Sequence, residues 1–174
     1  MRLFDFINDG GSISWILVAM NIVGLSLILW RFIVLKSFKK NITSMSKVFV
    51  GEFQQLYQSG QASQNMDVIK DFISQRVHEL EFGMNSIKVI ATSAPLFGLL
   101  GTVIGIYEAF QVISETGMED PSRFASAISY ALITTIVGLI VAIPHFIAHN
   151  YLSGELDSLE IRLEKNMTPM LQGK

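Results

Sequence analysis

Uninterrupted apolar runs dominate the pattern of this chain, and three of them exclude every Asp, Glu, Lys and Arg for long enough to cross a bilayer: residues 10–30, 89–107 and 124–154. The second, shortest run has 19 positions, and at a helical rise of about 1.5 Å per residue it reaches roughly 28 Å, close to the ~30 Å hydrocarbon core of a membrane. Within the runs, stretches such as Ile16-Leu17-Val18-Ala19-Met20, Leu96-Phe97-Gly98-Leu99-Leu100 and Leu139-Ile140-Val141-Ala142-Ile143 place apolar side chains on all faces. That pattern fits lipid-embedded helices and contradicts the alternation of barrel strands. An all-α polytopic membrane protein is therefore predicted, with transmembrane helices at 12–35, 87–110 and 124–149. A short periplasmic or interfacial segment (1–11) precedes them, a periplasmic loop (111–123) joins the last two, and a helical tail (150–174) follows.

The segment between the first two spans, 36–86, changes period. Phe49, Phe53, Leu56 and Tyr57 share one helical face, and Val68, Ile69, Phe72, Ile73, Val77 and Leu80 share another, with the polar stretch 58–65 between them as a turn. Two such stripes predict a helical hairpin whose faces need partners. The tail offers one through Leu152, Leu156, Leu159 and Leu163, a coiled-coil-like spacing too short to specify a free-standing coil. The membrane helices are thus expected to continue into a cytoplasmic bundle, with Glu79, Glu81, Glu160 and Glu164 on its solvated face.

Composition agrees. Of 174 residues, 50% are apolar and 16% charged, with mean hydropathy +0.43, against about 25% charged residues in an ordinary globular domain. Disorder, a collagen-like repeat and a basic nucleic-acid arm are excluded, and a formal net charge of -2 offers no global field for a polyanion. The absence of cysteine removes disulfides, thiolate nucleophiles and thiolate metal sites. The placement of charge is more informative. Of the 13 basic residues, only Arg2 precedes the first span and only Arg123 separates the second from the third. The positive-inside rule then puts the N-terminus outside and the long loop and tail in the cytoplasm. Glu115, Glu119 and Asp120 give the outer loop an acidic excess. With Asp5 and Asp9 before the first run, a long apolar stretch and no small-residue cleavage motif after it, that run is expected to be a retained helix.

Helices in lipid associate through small residues that let backbones approach. In the second span Ala94, Gly98 and Thr102 form one line with Gly101 and Gly105 beside it. In the third, Ala131, Thr135, Gly138 and Ala142 do the same. These two helices are expected to pack tightly, while the first, bulky except at Gly24 and Ser26, suits the lipid side. Thr102 and Thr135 are open to two readings, hydroxyls satisfied by their own i−4 carbonyls or groups that solvate an ion. No acid lies at mid-depth in any span, so the chain has no carboxylate of its own to carry a proton across the bilayer centre. His145 and His149, one turn apart beyond Pro144, lack a third ligand and read as interfacial residues; no metal or cofactor is expected. The glycines at 98, 101 and 105 lack the Gly-Lys-Ser/Thr of a phosphate loop, and no nucleophile–base or paired-carboxylate arrangement supports an enzyme.

The stretch Ala94-Pro95-Leu96-Phe97-Gly98-Leu99-Leu100-Gly101-Thr102-Val103-Ile104-Gly105-Ile106, with Phe110 after it, resembles the second-span motif of the TolQ/ExbB proton-channel family, relatives of the flagellar stator protein MotA. Residues 131–144, followed by Asn150-Tyr151, resemble the family's third-span motif in the matching order. The resemblance implies a homopentamer whose second and third spans line a pore. An ExbD- or TolR-like single-span partner would occupy that pore and bring the titrating Asp. The resemblance carries the route along the pore to Thr102 and Thr135, and it implies work on a TonB- or TolA-like protein from the bacterial inner membrane.

One position departs from the family's pattern. Many members have Glu before Ala131, where this chain has Tyr130; it shares a helix line with Ser126 and Thr134, so Thr134 and Tyr130 are candidates for a hydroxyl route. A phenol with an ordinary pKa near 10 exchanges protons poorly at neutral pH, which leaves protons and sodium both open. Two functions from different classes follow. One is an ion-driven energy-transducing subunit; the other is a membrane scaffold that assembles partners without moving ions, for which the small-residue faces suffice.

Overall fold

The computed structural model describes residues 10–57, 65–117 and 121–172, and among these it is helical without a strand. The expected N-terminal segment, most of the polar turn at 58–65 and the loop acids Glu119 and Asp120 lie outside the described residues. Five helices follow in order: α1 (Gly11–Lys40), α2 (Ile42–Leu56), α3 (Met66–Glu79), α4 (Met84–Thr116) and α5 (Pro121–Gln172). α1, α4 and α5 are each long and apolar enough to cross a membrane. The chain divides into two compact units, one formed by residues up to 28 with 86–149, the other by 29–85 with 150 onward.

The first unit is a three-helix assembly. Ile13 and Leu17 of α1, Ile90 and Ala94 of α4, and Ile133, Val137, Val141 and Ala142 of α5 form its core, with Met20, Phe97 and Ile104 packed against it. The remaining faces stay apolar: Ile22 and Val23, Leu96 and Val103, Leu132 and Ile140 are all well exposed. A water-facing surface of that kind would be costly, whereas hydrocarbon or further membrane helices accept it. Pro95 lies inside α4; the backbone bond it removes is tolerated in a packed membrane helix.

In the second unit the amphipathic stripes find each other. Phe53 of α2 meets Phe72 of α3 edge-on at 5.3 Å, and Ile69, Phe72, Ile73 and Val77 are buried together with Leu152, Leu156, Leu159, Leu163 and Met167 of α5. Leu56 and Tyr57, expected on the inward stripe of α2, are exposed instead, because the helix ends there. Asn65 caps α3 by accepting a hydrogen bond from the Asp67 amide at 3.0 Å. Gly83, at φ 85°, turns the chain into α4 in a left-handed conformation that only glycine adopts freely. Ion pairs Arg76–Glu52 at 3.0 Å and Lys70–Glu164 at 3.5 Å, and a Lys39–Glu155 pair, lie on the surface, where each contributes little. Trp30 meets Phe82 edge-on and Phe32 stacks on Tyr151, two ring pairs in the C-terminal half of α1 of the residue type favoured where hydrocarbon meets water.

Candidate functional site: a hydroxyl cluster between α4 and α5

The glycines fix how close α4 and α5 come. A Cβ added to Gly138 would stand 2.8 Å from the Ala94 carbonyl oxygen and 3.1 Å from the Gly98 Cα; one added to Gly98 would stand 3.0 Å from the Thr134 carbonyl oxygen. The two backbones therefore touch, an approach open only to residues without side chains. Gly101 accommodates the Thr134 side chain, and Gly105 faces Ala131, whose Cβ would be 2.8 Å from an added Cβ. Of the small residues singled out on these two spans, Ala94, Gly98, Gly101, Gly105, Ala131, Gly138 and Ala142 are buried.

This closeness brings three hydroxyls onto two carbonyls. The Gly98 oxygen accepts from Thr102 Oγ1 at 3.2 Å, from Thr135 Oγ1 at 3.2 Å and from Thr134 Oγ1 at 3.5 Å. The Ala131 oxygen accepts from Thr134 Oγ1 at 2.9 Å and from Thr102 Oγ1 at 3.2 Å. The Thr102 and Thr135 hydroxyls also meet directly. Each threonine has one proton to give, so the three hydroxyls cannot make all of these contacts at once. Hydroxyl rotation then exchanges partners without leaving a buried group unpaired. Thr134 is fully buried, whereas Thr102 and Thr135 are half-buried.

Tyr130 is half-buried and turned toward α1: a Cβ on Gly11 would lie 2.7 Å from its ring. It stands one helical turn from Thr134, and no hydrogen bond between the two is found among the described residues. Sequence reasoning missed two features. His145, expected at the interface, is wholly buried; its Nδ1 bonds the Val141 carbonyl at 2.7 Å, its Nε2 has no partner among the described residues, and it fills the space left open at Gly24 of α1. Glu108 of α4, which the sequence pattern alone did not single out, shares a cleft with Tyr130. No group of three or more His, Asp or Glu suited to a metal ion occurs among the described residues.

Residues 40–165 match the family described as the MotA/TolQ/ExbB proton channel family. The chain belongs to this family. Similar proteins include the biopolymer transport protein ExbB of Neisseria gonorrhoeae, 38% identical over 85 residues that cover 49% of this chain and 39% of the relative. The ExbB of Aquifex aeolicus is 40% identical over 79 residues, 45% of this chain and 53% of the relative. A putative ExbB homologue of Methanothermobacter thermautotrophicus is 41% identical over 88 residues, 49% of this chain and 31% of the relative. The matched stretch thus spans about half or less of these relatives' own lengths. The MotA/TolQ/ExbB family is a proton channel family, not an enzyme family.

Proposed function

We propose that the chain is the channel subunit of an ExbB–ExbD or TolQ–TolR type motor in the bacterial inner membrane, with its N-terminus in the periplasm and its C-terminus in the cytoplasm. In this reading α4 and α5 of several copies, five by the family resemblance, surround a partner's single transmembrane helix. The partner's Asp takes up a proton beside Thr102 and Thr135 and releases it toward the cytoplasm. A proton crossing 100 mV yields about 2.3 kcal/mol, enough at each step to bias movement of the partner, which then acts on a TonB- or TolA-like protein.

The observation that carries this reading is the cluster around the Gly98 carbonyl. It gathers two half-buried threonines in the middle of a span pair whose central sequence carries no acid. A hydroxyl donates to a carboxylate and accepts from a carboxylic acid, so the lining accommodates both states of a guest Asp. The decisive variant is Thr102→Val combined with Thr135→Val, which keeps side-chain shape and removes both hydroxyls. Energy-dependent uptake or envelope function should be abolished while the complex keeps its size. Full activity of an intact variant complex would instead favour a scaffold that moves no ions.

A further inference from the structure

At the end of the first unit nearest the 111–123 connection, α4 and α5 diverge into a cleft of about 600 Å³ lined by Glu108 on one wall and Arg123, Ser126, Ser129 and Tyr130 on the other. Glu108 is exposed and shares the cleft with the half-buried Tyr130. Below it the seam closes where Gly105 is buried against Ala131, before the threonine cluster begins. Six residues separate Glu108 from Thr102, about 9 Å along the helix axis. That is close to one screening length at physiological salt, ~8 Å, and the intervening protein screens less than water. The Glu108 carboxylate is thus the acid of this chain placed to act on the cluster without touching it.

We propose that Glu108 is the carboxylate through which protons are gathered from the outer water phase for the hydroxyl cluster. This rests on the ion-conducting reading above and on its orientation. A hydronium ion in the cleft transfers its proton to the carboxylate and leaves as water. The resulting acid returns the proton to a water at the inner end of the cleft, which carries it toward the cluster, and the carboxylate is regenerated. Tyr130, held against Gly11 on the facing wall, is a positioning residue: its hydroxyl keeps the wall opposite the carboxylate polar. Arg123 lines the same cleft and is itself engaged by another group; its charge is common to every variant compared below.

A charged, low-dielectric cleft raises local cation supply and entry rates by about 10-fold to 10³-fold, and the gain falls steeply with ionic strength. The test is acid-pulse proton uptake by proteoliposomes that contain the complete complex with its partner, at low and high salt. Glu108→Gln should slow uptake about tenfold at low salt, and the deficit should shrink in about 1 M salt, where the screening length is only ~3 Å. Glu108→Asp should retain most of the rate, and Glu108→Gln with Tyr130→Glu, which restores a carboxylate from the facing wall, should recover it. An unchanged rate in Glu108→Gln overturns the proposal, as does a loss of equal size at both salt concentrations or one that the second carboxylate fails to repair. If Glu108→Gln does not assemble, the wild-type complex still decides, because salt-independent uptake there contradicts the proposal. The Thr102→Val, Thr135→Val complex runs alongside: uptake by that variant would sink the underlying reading whatever Glu108 does.

Discussion

At the scale of single residues, stability and function are expected to separate at the threonine cluster. Replacing Thr102 by Val removes one donor from the Gly98 carbonyl, yet Thr135 and Thr134 still reach that oxygen. No buried acceptor is orphaned, so the cost to stability should be about 1 kcal/mol or less, the net value of one hydrogen bond. Loss of transport with a nearly unchanged unfolding midpoint in detergent is the signature expected of a lining group. A matching collapse of both would make the hydroxyls structural. Thr102 and Thr135 were legible in the sequence because they lie on the small-residue faces. Their common acceptor was not, because which carbonyl of α4 faces which hydroxyl of α5 depends on the axial register of two helices, and a one-dimensional pattern does not encode that register.

At the scale of elements, the glycines of the α4–α5 seam divide by what surrounds them. Gly138→Ala places a methyl 2.8 Å from the Ala94 carbonyl oxygen and 3.1 Å from the Gly98 Cα, backbone atoms that cannot turn aside. The helices must separate, at a cost of about 1–3 kcal/mol typical of overpacking, and Thr135 is drawn away from Thr102. Gly51→Ala in α2, with nothing within 4 Å of the new methyl, should instead be neutral or stabilising by up to about 1 kcal/mol, as for any glycine in a helix interior. Thermal unfolding of the two variants compares a packing glycine with an idle one.

The first span gives a second case at this scale. Its bulky composition reads as a lipid-facing helix, and much of it is exposed apolar surface, but Ile13 and Leu17 enter the core and Gly24 receives the His145 imidazole. The sequence showed Gly24 and His145 separately, 121 positions apart, and nothing in either local pattern pairs them. Gly24→Ala should destabilise the protein clearly in the wild-type background and only weakly in a His145→Ala background. A double-mutant cycle measures that difference as a coupling of about 0.5–3 kcal/mol between residues in contact; additive effects would show that the two do not depend on each other.

At the scale of the whole molecule, legibility follows from the solvent. A bilayer demands long, charge-free helices whose backbone bonds are internally satisfied, so spans and helical class are written in hydropathy alone. The small-residue motifs add the family, because close backbone approach requires particular residues at particular positions. What surrounds the exposed apolar faces of α4 and α5 is not written there: lipid and neighbouring helices make the same chemical demand on a side chain. The same holds for the titrating group. The three spans offer hydroxyls in their middle stretches and a single acid, Glu108, toward the C-terminal end of α4, so the ion-driven account requires a carboxylate from a second protein.

Proton uptake into vesicles under an imposed potential tests that requirement most directly, with the chain reconstituted alone, with its partner, and with the partner's intramembrane Asp replaced by Asn. The account predicts flux only in the second case, with background rates in the first and third. Conduction by the chain alone, or undiminished conduction with the Asn partner, would contradict it.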